Sequence, residues 1–287
     1  MNKILKALIF DKNARVTIID TTKAVDEAIK THKFSPLAAA VFGRALTAGG
    51  YISVNLKGKS KFSMIIKGGG PVGNVVVTGE SDNIVRGFLS NPAVELPLRE
   101  DGKLNVGGAV GKDGHIWVIK DYGLKEPYRG SSQLVSGEIA EDFAHYLLKS
   151  EGIRSAVVLG VKVDKNGVLA SGGVILEAMP GITENQLVMA EDIMQNLSSI
   201  SSIMQLKTIE EIFDFYFGHL NSEILSIEDL RYECNCSKER IENIIKGLGK
   251  DEVYDIIKNT GKFEITCQFC LKEYTYSKEE VDKLWEM

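Results

Sequence analysis

Cys234-Asn235-Cys236 and Cys267-Gln268-Phe269-Cys270 hold every cysteine of the chain, as two close pairs separated by thirty residues. Four sulfurs gathered in this way match the tetrahedral ligand set of a closed zinc site. They define a small C-terminal module, residues 231–287. Within it the sequence predicts a knuckle bearing Cys234 and Cys236, helices from Lys238 to Leu248 and from Asp251 to Lys258, and a hairpin from Lys262 to Tyr276. Cys267–Cys270 lies at the bend of that hairpin, and a last helix is expected from Ser277. The core of a 57-residue module contributes about 3 to 5 kcal/mol, whereas a four-ligand structural zinc contributes about 10 to 16 kcal/mol. The module is therefore expected to depend on one zinc ion, held by Cys234, Cys236, Cys267 and Cys270.

The same spacing suits oxidation. Zinc-bound cysteines are thiolates, the oxidisable form of the side chain, and Arg231, Lys238, Arg240 and Lys272 lie near enough in sequence to favour negative sulfur. Cys267 and Cys270 sit one turn apart, within reach of a disulfide. Cys234 and Cys236 close only a small strained ring, of the kind that is readily reduced. The Cys-x-Cys half thus favours a switch, while closed four-cysteine sites are ordinarily structural.

Upstream, residues 1–180 read as a sheet-rich α+β domain. A strand is expected at Val16–Ile19, a helix capped by Thr21 or Thr22, and a helix from Pro36 through Ala48 that Gly49-Gly50 ends. Strands follow at Tyr51–Leu56, Phe62–Ile66, Gly73–Thr78 and Ile84–Leu89, in antiparallel meanders. Val106–Val110 and His115–Ile119 read as a hairpin about Asp113-Gly114, with a further strand at Tyr128–Val135. Ser136 is expected to cap a helix to Ser150. Val157–Val163 and Val168–Ala178 form a second hairpin. Lys67-Gly68-Gly69-Gly70-Pro71 lacks the Gly-Lys-Ser/Thr ending of a phosphate loop and reads as a tight turn. Ser171-Gly172-Gly173 marks a bulge or a close backbone approach.

Residues 181–230 are expected to be a helical linker without strands. Glu184–Ile200 carries Leu187, Val188, Ile193, Met194 and Leu197, and Thr208-Ile209-Glu210-Glu211 resembles a capping box. Two readings stand for this segment: a layer packed permanently on the sheet, or an adaptable Met- and aromatic-bearing surface that is uncovered on demand.

Composition narrows the function. The chain has 34 Lys and Arg against 39 Asp and Glu, a net charge of −5, and the module alone carries ten basic against twelve acidic residues. Neither balance attracts nucleic acid or anionic lipid, and a polyanion site would need a local basic patch. The apolar run in Met1–Phe10 is too short for a secretory segment, and no apolar stretch has the length of a membrane span. A cytoplasmic protein is expected, in which clustered cysteines bind metal or do redox work. His32, His115, His145 and His219 are scattered singly, without a catalytic motif, so the chain is not expected to be an enzyme.

The cysteine pattern, in the form Cys-Asn-Cys-Ser-Lys-Glu-Arg, joins Gly69-Gly70-Pro71, Tyr128-Arg129-Gly130, Gly172-Gly173 and Met179-Pro180 in an order that resembles the redox-regulated heat-shock chaperones of about 33 kDa, the 33 kDa chaperonins. The similarity runs along essentially the whole chain. It implies an ATP-independent holdase in which the reduced, zinc-bound form is inactive. Oxidation then pairs Cys234 with Cys236 and Cys267 with Cys270, releases zinc and loosens the linker. The expected partners are unfolding client proteins and a second copy of the chain, with residues 1–180 as the client-binding core. The rival readings are a constitutive structural-zinc scaffold and, third, a thiol oxidoreductase.

Overall fold

The computed structural model describes residues 2–285. The chain forms two compact units, the first ending at Glu233 and the second beginning at Cys234. In the first unit, β1 (Lys3–Ile9), β2 (Ala14–Asp20), α1 (Thr22–His32) and α2 (Pro36–Val54) are followed by β3 (Lys61–Lys67), β4 (Val75–Glu80) and β5 (Ile84–Leu89). Then come α3 (Val106–Val110), β6 (His115–Asp121), β7 (Tyr128–Gln133), α4 (Ala140–Glu151), β8 (Ser155–Asp164) and β9 (Gly167–Ala178). Three helices, α5 (Glu184–Asn196), α6 (Ile200–Met204) and α7 (Ile209–Tyr216), precede β10 (Glu223–Asp229) and the short β11 (Arg231–Tyr232). The fold is α+β, as the alternation of strands and helices predicts.

The strands make two sheets, ordered β10-β1-β2-β9-β8 and β11-β5-β4-β3-β6-β7. Both are antiparallel except where β11 joins β5 in parallel. Helix α2 lies between them, with sixteen of its residues buried. That burial explains why so apolar a helix belongs to the core of this unit. Its N-terminus follows local chemistry: Pro36 occupies the first helical position, and the Ser35 hydroxyl accepts from the Ala38 N–H at 3.1 Å.

The expected end of α2 at Gly49-Gly50 and the expected strand at Tyr51–Leu56 are both incorrect, because the helix runs on to Val54. The glycines are there for proximity. A Cβ on Gly49 would stand 2.5 Å from Val77 Cγ1, and one on Gly50 would stand 3.4 Å from Ile19 Cγ2. The helix thus approaches both sheets where it has no side chain. The expected strand at Val106–Val110 is also a helix, capped by Asn105 Oδ1 accepting from the Gly108 N–H at 2.9 Å. The glycine loop before β4 packs on its end, with Gly70 N–H donating to Val110 O at 2.9 Å and Gly73 N–H closing a turn onto Gly70 O at 3.1 Å. The turn reading of that loop therefore agrees with the structure.

Ser136 does not cap α4. The carboxylate of Asp142, fully buried, accepts from the N–H groups of Val135, Ser136 and Gly137 at 2.7, 3.0 and 3.3 Å and from Ile139 at 2.8 Å. One side chain inside the first turn therefore organises the whole approach to the helix. Thr21 is likewise not a side-chain cap. Its hydroxyl is buried against Thr47 and Ser171 at 3.0 and 2.8 Å, while Asp20 Oδ1 accepts from Thr22 N–H at 2.8 Å.

Residues 181–230 are not free of strand. β10 pairs with β1, and the N-terminal stretch that forms β1 lies inside the sheet. The three helices before β10 cover the outer face of the same sheet, where Leu5, Val16, Ile18, Val174 and Leu176 meet Met194, Leu197, Ile200, Ile212, Phe213 and Phe217. This is a second core, separate from the one around α2. Gly172 sits in regular register, and the irregularity of this hairpin falls at Lys162/Val163 instead. The close-approach alternative holds: a Cβ on Gly172 would stand 2.5 Å from Met204 Sδ, and one on Gly160 would stand 2.8 Å from Ile200 Cγ2. Helix α6 rests on a glycine floor.

Gly160→Val places a branched side chain under α6, and overpacking of this kind costs about 1 to 3 kcal/mol. The variant is expected to unfold at lower denaturant concentration than the parent, in an equilibrium urea titration followed by circular dichroism.

Candidate metal centre

In the second unit Ser237 caps α8 (Lys238–Leu248), its hydroxyl accepting from Arg240 N–H at 3.2 Å. Then come α9 (Lys250–Thr260), the hairpin β12 (Phe263–Thr266) and β13 (Glu273–Tyr276), and α10 (Lys278–Leu284) under a reciprocal Ser277–Glu280 capping box. These elements follow the sequence reading. Ile241, Ile245, Val253, Ile257, Phe263, Tyr274, Tyr276, Val281 and Leu284 form the core, with Cys236 packed against it. Nine buried side chains are a small core, which leaves room for a large metal contribution.

The hairpin bend is a knuckle. Cys267 N–H donates to Lys272 O at 3.0 Å, and Leu271 N–H donates to Cys267 O at 2.8 Å. Leu271 has φ 56°, a left-handed conformation that is costly for a branched side chain. Cys234 and Cys236 approach this bend from the irregular segment before α8. The Cys234 and Cys267 sulfurs are 3.6 Å apart, and those of Cys236 and Cys270 are 3.4 Å apart. All four ligand atoms lie within 4.8 Å of one another, and the four residues are half-buried. A tetrahedron with zinc–sulfur bonds of about 2.3 Å has edges of about 3.8 Å. The sulfurs are thus positioned to hold a metal ion, and their softness suits zinc.

Burial pushes the Cys234 and Cys270 thiols up. Burial acts the same way on Cys236, but hydrogen bonds to it, led by the one from Tyr274, outweigh burial and lower it to about 7. The Tyr274 hydroxyl donates to Cys236 Sγ at 3.3 Å, and this bond in turn raises the tyrosine. The expected basic neighbours do something else. Arg240 donates to Asn235 Oδ1 at 2.6 Å, Lys238 pairs with Glu280 at 3.8 Å, Arg231 pairs with Glu233 at 3.5 Å, and Lys272 lies over the Tyr274 ring at 5.1 Å. A side chain from outside the cluster that does reach a sulfur is Tyr274, which the sequence reading passed over. Its signal was the alternation of Tyr274 and Tyr276 on the strand leaving the knuckle.

The four histidines form no constellation with one another. His32 stacks on Phe34 at 5.2 Å, His145 Nδ1 meets Gln133 O at 3.1 Å, His115 lies beside Trp117 at 5.4 Å, and His219 is exposed. Gly130, in the Tyr-Arg-Gly sequence, lets Tyr146 approach, since a Cβ there would be 2.9 Å from its hydroxyl.

A family profile described as Hsp33 protein matches residues 2–277. The chain belongs to the Hsp33 family. Its Hsp33 relatives include the 33 kDa chaperonin of Thermoanaerobacter sp. (strain X514), 42% identical over 284 residues that cover 98% of this chain and 97% of the relative. The 33 kDa chaperonin of Clostridium botulinum (strain Eklund 17B / Type B) is 44% identical over 291 residues, covering 99% and 97%. Among solved structures, the 33 kDa chaperonin (heat shock protein 33 homolog) of Thermotoga maritima superposes with a TM-score of 0.92 at 36% identity, covering 99% of this chain and 98% of that one. The Hsp33 assignment agrees with a chaperone, and none of the relatives' names is that of an enzyme.

Two outcomes follow for the centre. Tyr274→Phe removes a hydrogen bond to a ligand sulfur, and losses of this type weaken metal binding by about 10- to 100-fold. Competition with a colorimetric chelator checks it, with Tyr276→Phe as the neighbouring control. Because burial raises Cys234 and Cys270, binding must displace their protons, and metal affinity is expected to climb as pH rises from 6 to 9. A flat profile in a chelator competition across that range would contradict the raised thiols.

Proposed function

We propose that this chain is a redox-regulated, ATP-independent holdase of the cytoplasm that captures unfolding proteins under oxidative stress. The observation that carries the reading is the convergence of all four cysteines on one metal-sized cluster in an Hsp33 chain. In the reduced form Cys234, Cys236, Cys267 and Cys270 hold one zinc ion and the chaperone is inactive. Bound there, zinc supplies folding free energy and keeps the four sulfurs anionic.

Oxidation removes two electrons from each pair, forming the 234–236 and 267–270 disulfides. Peroxide or hypochlorite takes up those electrons, and zinc departs. In the present form the closest sulfurs are 234 with 267 and 236 with 270, so the proposed pairing rests on sequence neighbourhood and on the family resemblance. With about 10 to 16 kcal/mol of metal binding gone, a core of nine side chains does not keep the module folded.

Residues 181–230 act as the linker between a core of residues 1–180 and the redox module of residues 231–287. Loosening of the linker exposes the apolar face that α5–α7 now cover. Clients bind there, and the active form is a homodimer. Nucleic acid and membranes are not partners in this reading.

The test is one titration with hypochlorite, following zinc release, thiol loss and suppression of aggregation of a heat-denatured client together. A holdase gains activity as zinc leaves. A structural-zinc scaffold keeps its metal or gains no activity, and a thiol oxidoreductase turns over a dithiol substrate. Stripping zinc under reducing conditions is expected to melt the module, seen as loss of near-ultraviolet ellipticity from Trp285 and its tyrosine neighbours.

A further inference from the structure

Beyond the last turn of α2 lies a cavity of about 220 Å3, walled by β2, the end of α2, the end of β6 and α4. The five-stranded sheet, the six-stranded sheet and two helices of the first unit thus all border one small space. Ile52, Leu56 and Leu147 contribute buried apolar wall. Tyr122, 46% exposed, marks the mouth.

The rest of the border is charged. Arg15 alternates along β2 with Ala14 and Val16, which face the second core, and it donates to its cross-strand partner Glu177 through Nε and Nη2 at 2.8 and 2.5 Å. Tyr51 lies beside this pair, and burial pushes its phenol well up. From β6 and α4, Lys120 Nζ and the Tyr146 hydroxyl both donate to Glu151 Oε1, at 2.7 and 2.5 Å. Burial, followed by Glu151, raises the Tyr146 phenol as well. Two sets of the same make-up, a cation, a carboxylate and a buried tyrosine, meet around the cavity.

Ionised groups are costly to bury and are kept in interiors where they are paired or used. Here the pairs do not cancel. Glu177 gives both oxygens to Arg15, and Glu151 receives two donors on one oxygen. The guanidinium and the ammonium carry more N–H groups than these bonds and the contact of Arg15 with Tyr51 use, while Glu151 Oε2 is the spare acceptor. Asn55, also in the wall, accepts on Oδ1 from Lys6 Nζ at 3.1 Å. Burial pushes the Lys6 ammonium down and Arg15 adds to that push, with Glu228 and Glu177 opposing and Lys57 adding again. Lys6, Arg15 and Lys120 against Glu177 and Glu151 leave one positive charge in excess, beside donors to spare. Such a space favours an acceptor-rich anion, and its apolar wall favours an organic one.

We infer that this cavity binds a small organic acid. Arg15 and Lys120 hold its carboxylate, and Ile52, Leu56 and Leu147 take its apolar body. The site lies within the first unit and apart from the cysteines, so it stands or falls separately from the holdase reading. An acid bound there bridges the two sheets and α4, and it stabilises the first unit by mass action.

The test titrates benzoate into the full-length reduced protein by calorimetry, with benzamide, benzylamine and inorganic phosphate as the neutral, cationic and inorganic probes. Benzoate is expected to bind saturably at millimolar concentration or below, with benzamide at least about tenfold weaker, and to raise the urea midpoint of the first unit. Lys120→Met is expected to weaken benzoate at least about tenfold. Should that variant fail to fold because Glu151 is left unpaired, Lys120→Met with Glu151→Gln removes both charges and is expected to show the same loss, circular dichroism checking the fold. Glu151→Gln alone keeps an acceptor for Tyr146 and removes the competing carboxylate, so benzoate is expected to bind about threefold tighter or better. Lys59→Met, in the exposed loop after α2, is expected to leave the affinity unchanged.

Equal binding of benzoate and benzamide, tighter binding of benzylamine, or an unchanged benzoate affinity in the Lys120→Met, Glu151→Gln pair overturns the inference. Tighter binding of phosphate than of benzoate overturns it in favour of an inorganic anion site. An absence of saturable heat together with an unmoved urea midpoint also overturns it, and leaves the cavity as a solvated gap between paired charges.

Discussion

Four sulfurs within 4.8 Å of one another are a contradiction that needs a cation. As thiols they are half-buried weak donors with little to bond, and as thiolates they repel at close range. A divalent ion bound there would resolve both problems, because it would neutralise the charge and replace four poor contacts by four bonds. The geometry of the second unit serves that end: the knuckle at Cys267–Cys270, the left-handed Leu271, the Ser237 cap that turns the chain after Cys236, and the Tyr274 hydroxyl on Cys236 Sγ. Everything else in that unit is a small apolar core with ordinary caps. A metal ion bound there would add to its stability in a way that the first unit, with its larger cores, does not need.

The first unit is held by burial. One apolar helix between two sheets supplies most of its interior, and glycines at the crossings let backbone replace side chain. The layer α5–α7 adds a second interior on the far side of the five-stranded sheet. Its partner residues on the sheet come from β1, β2 and β9, so the sheet stands with one face committed to α2 and the other to this layer. The β10 strand that ends the segment is tied to β1 along its length.

What the sequence disclosed depended on whether the signal was local. The second unit was legible almost element by element, because Ser237, Ser277 and the cysteine knuckle each act on their own neighbours. The hairpin Val157–Ala178 and the capping box at Thr208 were legible for the same reason. Gly49-Gly50 misled because glycine signals both helix ends and close packing, and the choice between them is made by Val77 and Ile19, remote in sequence. Asp142 was missed as the organiser of α4 because a buried carboxylate serving four upstream N–H groups has no short-range pattern. β10 escaped because its partner, β1, lies more than two hundred residues away, and β1 escaped although β2 follows it directly, because its short apolar run carries Lys3 and Lys6. At the site, the four sulfurs were found by spacing alone, whereas the electrostatics were assigned to the wrong side chains: the lysines and arginines near in sequence turn to acids, to the Asn235 amide and to a ring instead.

The glycine floor under α6 carries a last implication. Gly160 and Gly172 present bare backbone to Ile200 and Met204, so at these two points the short helix meets the strands with no strand side chain between them. Where the contact is bare, the helix can part from the sheet without a strand side chain changing rotamer at that point. The sheet would lose a cover while remaining a finished plane.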